Sequence, residues 1–298
     1  MQKFIFILIF VLSTGIFGAG HDTLAIKIKL SPALSVANCN FRWSVAGNLN
    51  GNSPNVFSEL IWTNLVPAGL EFPIEWNFHR RFYLKCNTQA AFFTTGTATD
   101  TDYEGDNRTD TVFHTHADAN KGSLLAFSPS VGIRFKLSKT LSIAPSAGFG
   151  INNQNLFLLD NGKTPVTKNL ASTYKAYWYG PFISLETGLT FSKILTLSVT
   201  VGYHQVNYRA KANWNLIENF QHPLSFRHTA KGFGLENSVS LCYSKSKLRP
   251  YLKIGHMYWS TGNGTDELYL ATGEVKKTRL NDVTYWGFNI AGAINFFF

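Results

Sequence analysis

The sequence predicts an all-β fold, a single ten-stranded antiparallel transmembrane β-barrel, and three observations carry that expectation. Charged residues make up only 15% of the 298, and aromatics match them at 15%, with 25 Phe and 12 Tyr; charge in a soluble domain runs to about a quarter. The last fourteen residues alternate between an apolar face and one that is small or polar apart from its ends. Trp286, Phe288, Ile290, Gly292, Ile294, Phe296 and Phe298 fall on one face, and Tyr285, Gly287, Asn289, Ala291, Ala293, Asn295 and Phe297 on the other. A period of two with one apolar face is a strand half in oil. Finally, past the N-terminal stretch no apolar run approaches the ~18 residues that read as a membrane helix. Abundant apolar surface with no helical span fits strands whose apolar and polar residues alternate and cancel in the average.

Strands are expected at 32–47, 56–79, 81–95, 122–138, 140–157, 173–192, 194–214, 224–245, 247–270 and 277–298. That makes an even set, as in bacterial single-chain barrels. The second places Leu70, Phe72, Ile74, Trp76 and Phe78 outward, against Glu71 and Glu75. In the third, Cys86 keeps phase with Phe82 and Leu84. The fourth alternates Phe127, Val131, Ile133, Phe135 and Leu137 with Ser128, Ser130, Gly132, Arg134 and Lys136. Ile183, Leu185, Leu189 and Phe191 mark the outer face of the sixth, against Ser184, Glu186, Gly188 and Thr190. The seventh sets Leu195, Leu197, Val199, Val201 and Tyr203 against Thr196, Ser198, Thr200, Gly202 and His204; the ninth points Lys253 inward. Charge keeps to the inner face because Lys or Arg on the lipid face at mid-bilayer costs roughly 2–4 kcal/mol. The expected lumen holds Glu71, Glu75 and Glu186 with Arg134, Lys136 and Lys253. In so narrow a bore that set reads as a cross-braced plug ahead of an ion pathway.

Residues 1–20 read as a signal peptide: Lys3, an apolar centre from Phe4 to Leu12, and the small residues Gly18-Ala19-Gly20. The barrel then occupies 21–298, in the outer membrane of a Gram-negative-type bacterium. Cys39, Cys86 and Cys242 are odd in number and widely spaced, which argues against a disulfide framework or a metal knuckle. The net charge of +9 points to outer-leaflet phosphates met by Lys and Arg at the membrane rim, and away from nucleic acid. Short links at 79–80, 138–139, 192–193 and 244–246 are periplasmic turns. The longer links 48–55, 96–121, 158–172, 215–223 and 271–276 face outward.

Chemistry is expected in the longest of these, which holds Asp100, Asp102, Glu104, Asp106 and Arg108, then His114, His116 and Asp118. Three readings compete there. Asp100, Asp102, Glu104 and Gly105 match the first half of a calcium loop, but Thr111 stands where a bidentate Glu belongs. His114 and His116 form an i, i+2 pair of metal-ligand type. The carboxylates could also hold a water for attack on an amide, given a base nearby; alternatively they are solvated, or partners for Arg108. Glu59 has its own plain reading, a lumen carboxylate paired with Lys or Arg. For Arg227-His228 the plain reading is a pair at the headgroup rim.

Ser58-Glu59-Leu60-Ile61-Trp62, followed by Asp100-Thr101-Asp102-Tyr103, resembles the omptin family of outer-membrane proteases. The resemblance implies a ten-stranded barrel with an extracellular cleft, where an Asp-x-Asp pair faces an Asp-x-His pair. Together the pairs activate a water that cleaves peptides between basic residues, and lipopolysaccharide is required. It also implies that the barrel-assembly machinery reads the C-terminal strand. Asp100 and Asp102 match the first pair. The second departs: Asn215 and Ile217 stand where the dyad belongs, and Tyr103 replaces the usual Trp. Under this resemblance the catalytic set is Asp100 and Asp102 with His222 or His228, and Glu218 beside His222. The alternative is a non-catalytic surface barrel, an adhesin or binding protein on the same scaffold; a passive pore is disfavoured by the narrow, charged lumen. No cofactor or metal is called for.

Overall fold

A computed structural model of the chain describes residues 27–163, 168–192, 194–244 and 249–298. The expected leader 1–20 and the turn residues Lys193, Lys245 and Ser246 lie outside the described residues. Among the described residues, seventeen strand segments form one antiparallel sheet whose last strand pairs with the first two, so the wall closes and no edge meets lipid. Segments that continue one another between the same neighbours line up as ten runs. In chain order these are β1 (Lys27–Leu30) with β2 (Ala33–Val45); β3 (Ser58–Leu65) with β4 (Pro67–Glu71) and β5 (Ile74–Asn77); β6 (Phe82–Phe93) with β7 (Thr97–Gly105); and β8 (Thr109–Asp118) with β9 (Gly122–Ile133) and β10 (Phe135–Lys136). Four uninterrupted strands follow, β11 (Leu141–Leu159), β12 (Ala171–Thr190), β13 (Leu195–Asn213) and β14 (Phe226–Tyr243). β15 (Arg249–Thr261) with β16 (Gly264–Tyr269), and then β17 (Val275–Phe297), complete the wall.

Two expectations change here. The strand expected over 56–79 is interrupted at Val66 and again at Phe72-Pro73, where proline has no N–H to give the ladder. The supposed loop 96–121 is mostly strand: β7 and β8 pair from Thr97–Asp118 to Gly105–Thr109, leaving only Asp106–Arg108 as a tip. It reads as a loop in sequence because it stands above the membrane, where both faces of the hairpin carry polar residues. A strand also removes the calcium-loop reading. An extra residue on β8, Val112, shifts the register after Asp102, and along the extended β7 Asp100, Asp102 and Glu104 are spread over successive rungs of the ladder and do not line one turn.

The outward face is the apolar one. Leu34, Leu70, Leu84, Leu125, Ile183, Val201, Leu241, Ile254 and Phe288 are all exposed on the outer wall. On β17 residues 286, 288, 290, 292 and 294 are exposed, while their alternates 283, 285, 287, 291, 293 and 295 are buried. Inside, the extracellular half of the lumen is filled by rings from neighbouring and from opposite runs. Phe41 on β2 meets Trp62 on β3 at 5.6 Å, Trp178 on β12 at 6.4 Å and Tyr285 on β17 at 6.1 Å between centroids. Trp178 in turn meets Tyr208 at 4.4 Å and Trp259 at 5.7 Å. The periplasmic half is a polar cavity of ≈ 460 Å³ braced by ion pairs between non-adjacent runs. Arg134 meets Glu75 at 3.1 Å and Lys85 meets Glu186 at 3.5 Å, and Lys253 pairs with Glu71. This is the cross-bracing expected, with Lys85 added to it; Lys136 is exposed.

Candidate functional site

At the end away from the chain termini, β3, β7 and β8 face β12, β13, β14 and β16 across the barrel mouth. Asp100 sits opposite Leu60 on β3 and Thr115 on β8, and Asp102 opposite Ser58 and Phe113. Spacing of i, i+2 on a strand puts both carboxylates on the same, inner side. Asp100 is half-buried. Burial pushes its carboxyl up to about 7, and the like charge of Asp102 pushes the same way. A hydrogen bond from the Trp214 side chain opposes both. Asp102 is raised as well, by burial, with the Ser58 hydroxyl opposing.

Trp214 comes from the opposite wall, at the top of β13. Its backbone N–H donates to Ser225 Oγ at 2.9 Å, and its ring packs edge-on against Phe226 at 4.8 Å. Asn215, standing where the omptin resemblance puts an aspartate, clasps the mouth together. Its Oδ1 accepts from the Ala171 N–H at 2.8 Å and the Ser172 hydroxyl at 3.0 Å, and its Nδ2 donates to Asn169 O at 2.9 Å.

Both imidazoles are engaged elsewhere. His222 has Nδ1 at 2.7 Å from Asn213 Oδ1 and Nε2 at 3.3 Å from Ile217 O. His228 lies 1% exposed inside the barrel, with Nδ1 2.8 Å from the Tyr174 hydroxyl and Nε2 3.2 Å from Asp266 Oδ1. Tyr174 and Tyr208 hydroxyls share a bond of 2.6 Å, and Thr278 donates to Asp266 at 3.0 Å. The structure therefore brings Asp100 and Asp102 together and adds Trp214. Among the described contacts neither imidazole reaches the carboxylates, and Glu218 is exposed on the loop. Arg227 and His228 share no rim: the arginine faces out and the histidine in.

Arg108, weighed as a partner for the aspartates, instead forks onto Glu59, Nε to Oε1 at 3.0 Å and Nη2 to Oε2 at 2.6 Å. Arg42 stands 3.9 Å from the same carboxylate and bonds Asp282 at 2.5 Å. Glu59 was expected in the lumen, yet its neighbours Leu60 and Trp62 take the inner face. The cause is one extra residue in β3. Trp62 pairs with Phe41 and Leu65 with Cys39, so the register shifts near Asn64, whose φ is 53°. Such a bulge swaps the faces of everything beyond it.

The outer wall above the apolar belt carries a row of charge. Pairing sets Lys175, Lys211, Arg227, Glu267 and Lys277 side by side on five neighbouring segments. Below them is a groove of ≈ 700 Å³ lined by Phe149, Ile151, Tyr177, Tyr179 and Arg209. The Arg209 guanidinium lies 5.7 Å from the Tyr179 ring centroid.

Residues 36–298 match the model of the Protochlamydia outer membrane protein family, Pom. The chain belongs to the Pom family. It is an outer-membrane β-barrel. Among curated proteins none matches its sequence. Among solved structures it is similar to the outer membrane protease OmpT from Escherichia coli, at 12% identity over 93% of this chain and 99% of that one, with a TM-score of 0.70. It also aligns with the outer membrane protein OprG from Pseudomonas aeruginosa, at 10% identity over 91% of this chain and 96% of that one, with a TM-score of 0.38. At such identities the OmpT likeness speaks for the fold of this Pom-family barrel alone.

Proposed function

We propose that this barrel is a surface receptor on an omptin-like scaffold, whose extracellular mouth binds cationic segments of peptides or proteins without cleaving them. The observation that carries the reading is that the Trp214 side chain faces Asp100, while His222 and His228 are held by other partners. Two half-buried carboxylates beside an indole suit a Lys or Arg side chain, which gains an ion pair and an aromatic face together. The Asp100 carboxyl, held partly protonated at neutral pH by burial, recovers its charge when a cation arrives, so the site is poised for a ligand. The row Lys175, Lys211 and Arg227 above the Tyr177–Tyr179 groove suits the phosphates and acyl chains of lipopolysaccharide, which anchors the mouth outside the bilayer.

The test is direct. The folded barrel, with and without lipopolysaccharide, is mixed with a fluorescent peptide carrying two adjacent basic residues. Binding is read by anisotropy and peptide integrity by mass spectrometry. We expect binding with the peptide recovered intact, weakened at least tenfold in Asp100→Asn/Asp102→Asn. Cleavage between the basic residues, lost in Asp102→Ala, would overturn the receptor reading in favour of an endopeptidase.

A further inference from the structure

We propose that His114 and His116 form a two-imidazole site on the outer face of β8 for a borderline divalent transition ion of the zinc and copper class. The strand places both rings on one exposed face, two residues apart, where neither packs against the core. Each ring is fixed from behind by a hydroxyl on the neighbouring strand. His114 Nδ1 lies 3.0 Å from Thr101 Oγ1 and His116 Nδ1 3.2 Å from Thr99 Oγ1, the two threonines being the register partners of the two histidines. A ligating imidazole is held in this way by a partner on its other nitrogen.

What the fixing leaves in front decides the case. The two Nε2 atoms face each other at 3.3 Å, with the rings near perpendicular at 89°. In the tautomer where each Nδ1 donates to its threonine, both Nε2 atoms present lone pairs to the same point. Two lone pairs so placed repel unless a cation stands between them. With metal–nitrogen bonds of ~2.0–2.1 Å and a tetrahedral angle, two ligating nitrogens stand about 3.3–3.4 Å apart. The pair thus already has the bite of a metal chelate. Imidazole nitrogen favours zinc, copper and nickel over calcium or magnesium. Water or a group from outside the chain completes the coordination, since among the described residues no cluster of three or more His, Cys, Asp or Glu gathers around one point. The site lies on the opposite side of β7 from Asp100 and Asp102, so it is separate from the mouth.

Calorimetric titration of the untagged folded barrel with Zn²⁺, and electron paramagnetic resonance after adding Cu²⁺, test the proposal. We expect one ion per chain at micromolar affinity and a copper spectrum with two coupled nitrogens. His114→Ala and His116→Ala should each weaken binding at least tenfold, and Thr101→Val, which keeps both imidazoles, several-fold. His79→Ala should change neither readout. Strand content by circular dichroism confirms that each variant is folded. Absence of binding, or binding that survives His114→Ala/His116→Ala, would overturn the site and leave the pair sharing a proton.

Discussion

Asp100 shows how far a residue can be read alone. Its pairing with Asp102 was legible, because i, i+2 on an alternating chain shares a face. Its partner was not, because nothing in the spacing tells that the indole of Trp214 crosses the mouth to reach it. The same holds for His228. It was marked as a candidate base, but its burial against Asp266 and Tyr174 depends on a phase that only the folded wall settles. A carboxyl raised to about 7 binds protons in the folded state that the unfolded chain has already released. Folded stability from this group is therefore greatest at acid pH and declines as pH rises from about 4 to 7. Carbon-detected NMR of the labelled carboxyl should show Asp100 titrating near neutrality in the wild type, and lower in Asp102→Asn, where the like charge is gone. In the lumen, Glu75 is 7% exposed and held by Arg134. Arg134→Met leaves that charge without its main partner and should cost about 3–5 kcal/mol in urea unfolding from detergent.

At the scale of the strand, the alternation of β12, β13 and β17 could be followed from residue to residue because lipid on one side leaves no choice of face. The prediction that belongs here is Val199→Arg. Val199 is 39% exposed on the apolar belt, and the substitution should cost roughly 2–4 kcal/mol in reversible unfolding. Reading failed wherever the period slipped. One extra residue at Asn64 moved Glu59 from the lumen to the outer wall, and prolines divided the second run without ending it. Above the membrane the two-period lost its contrast altogether, so β7 and β8 passed for loop. Composition reports the solvent on each side of a strand, and there both sides are wet.

Across the whole molecule, closure of the wall and its outward apolar belt were legible from bulk composition and the last strand. The division of the interior into an aromatic upper half and a polar lower half was not. That division needs Phe41, Trp62, Trp178, Tyr208 and Tyr285 to meet from walls far apart in sequence. It also predicts that the wild-type barrel carries almost no current across a planar bilayer. Phe41→Ala/Trp178→Ala should open a measurable conductance, because the rings blocking the polar cavity from the mouth are then removed. In the function proposed for it the mouth holds a cation, and the Asp100 carboxyl, raised to about 7, is partly protonated until one arrives. Calorimetry of dibasic-peptide binding at pH 7, repeated in buffers of different ionisation heat, counts the protons released and tests that account most directly. The account predicts about half a proton released per peptide, from a carboxyl titrating near 7, and almost none in Asp100→Asn. Binding with no proton released by the wild type would contradict it.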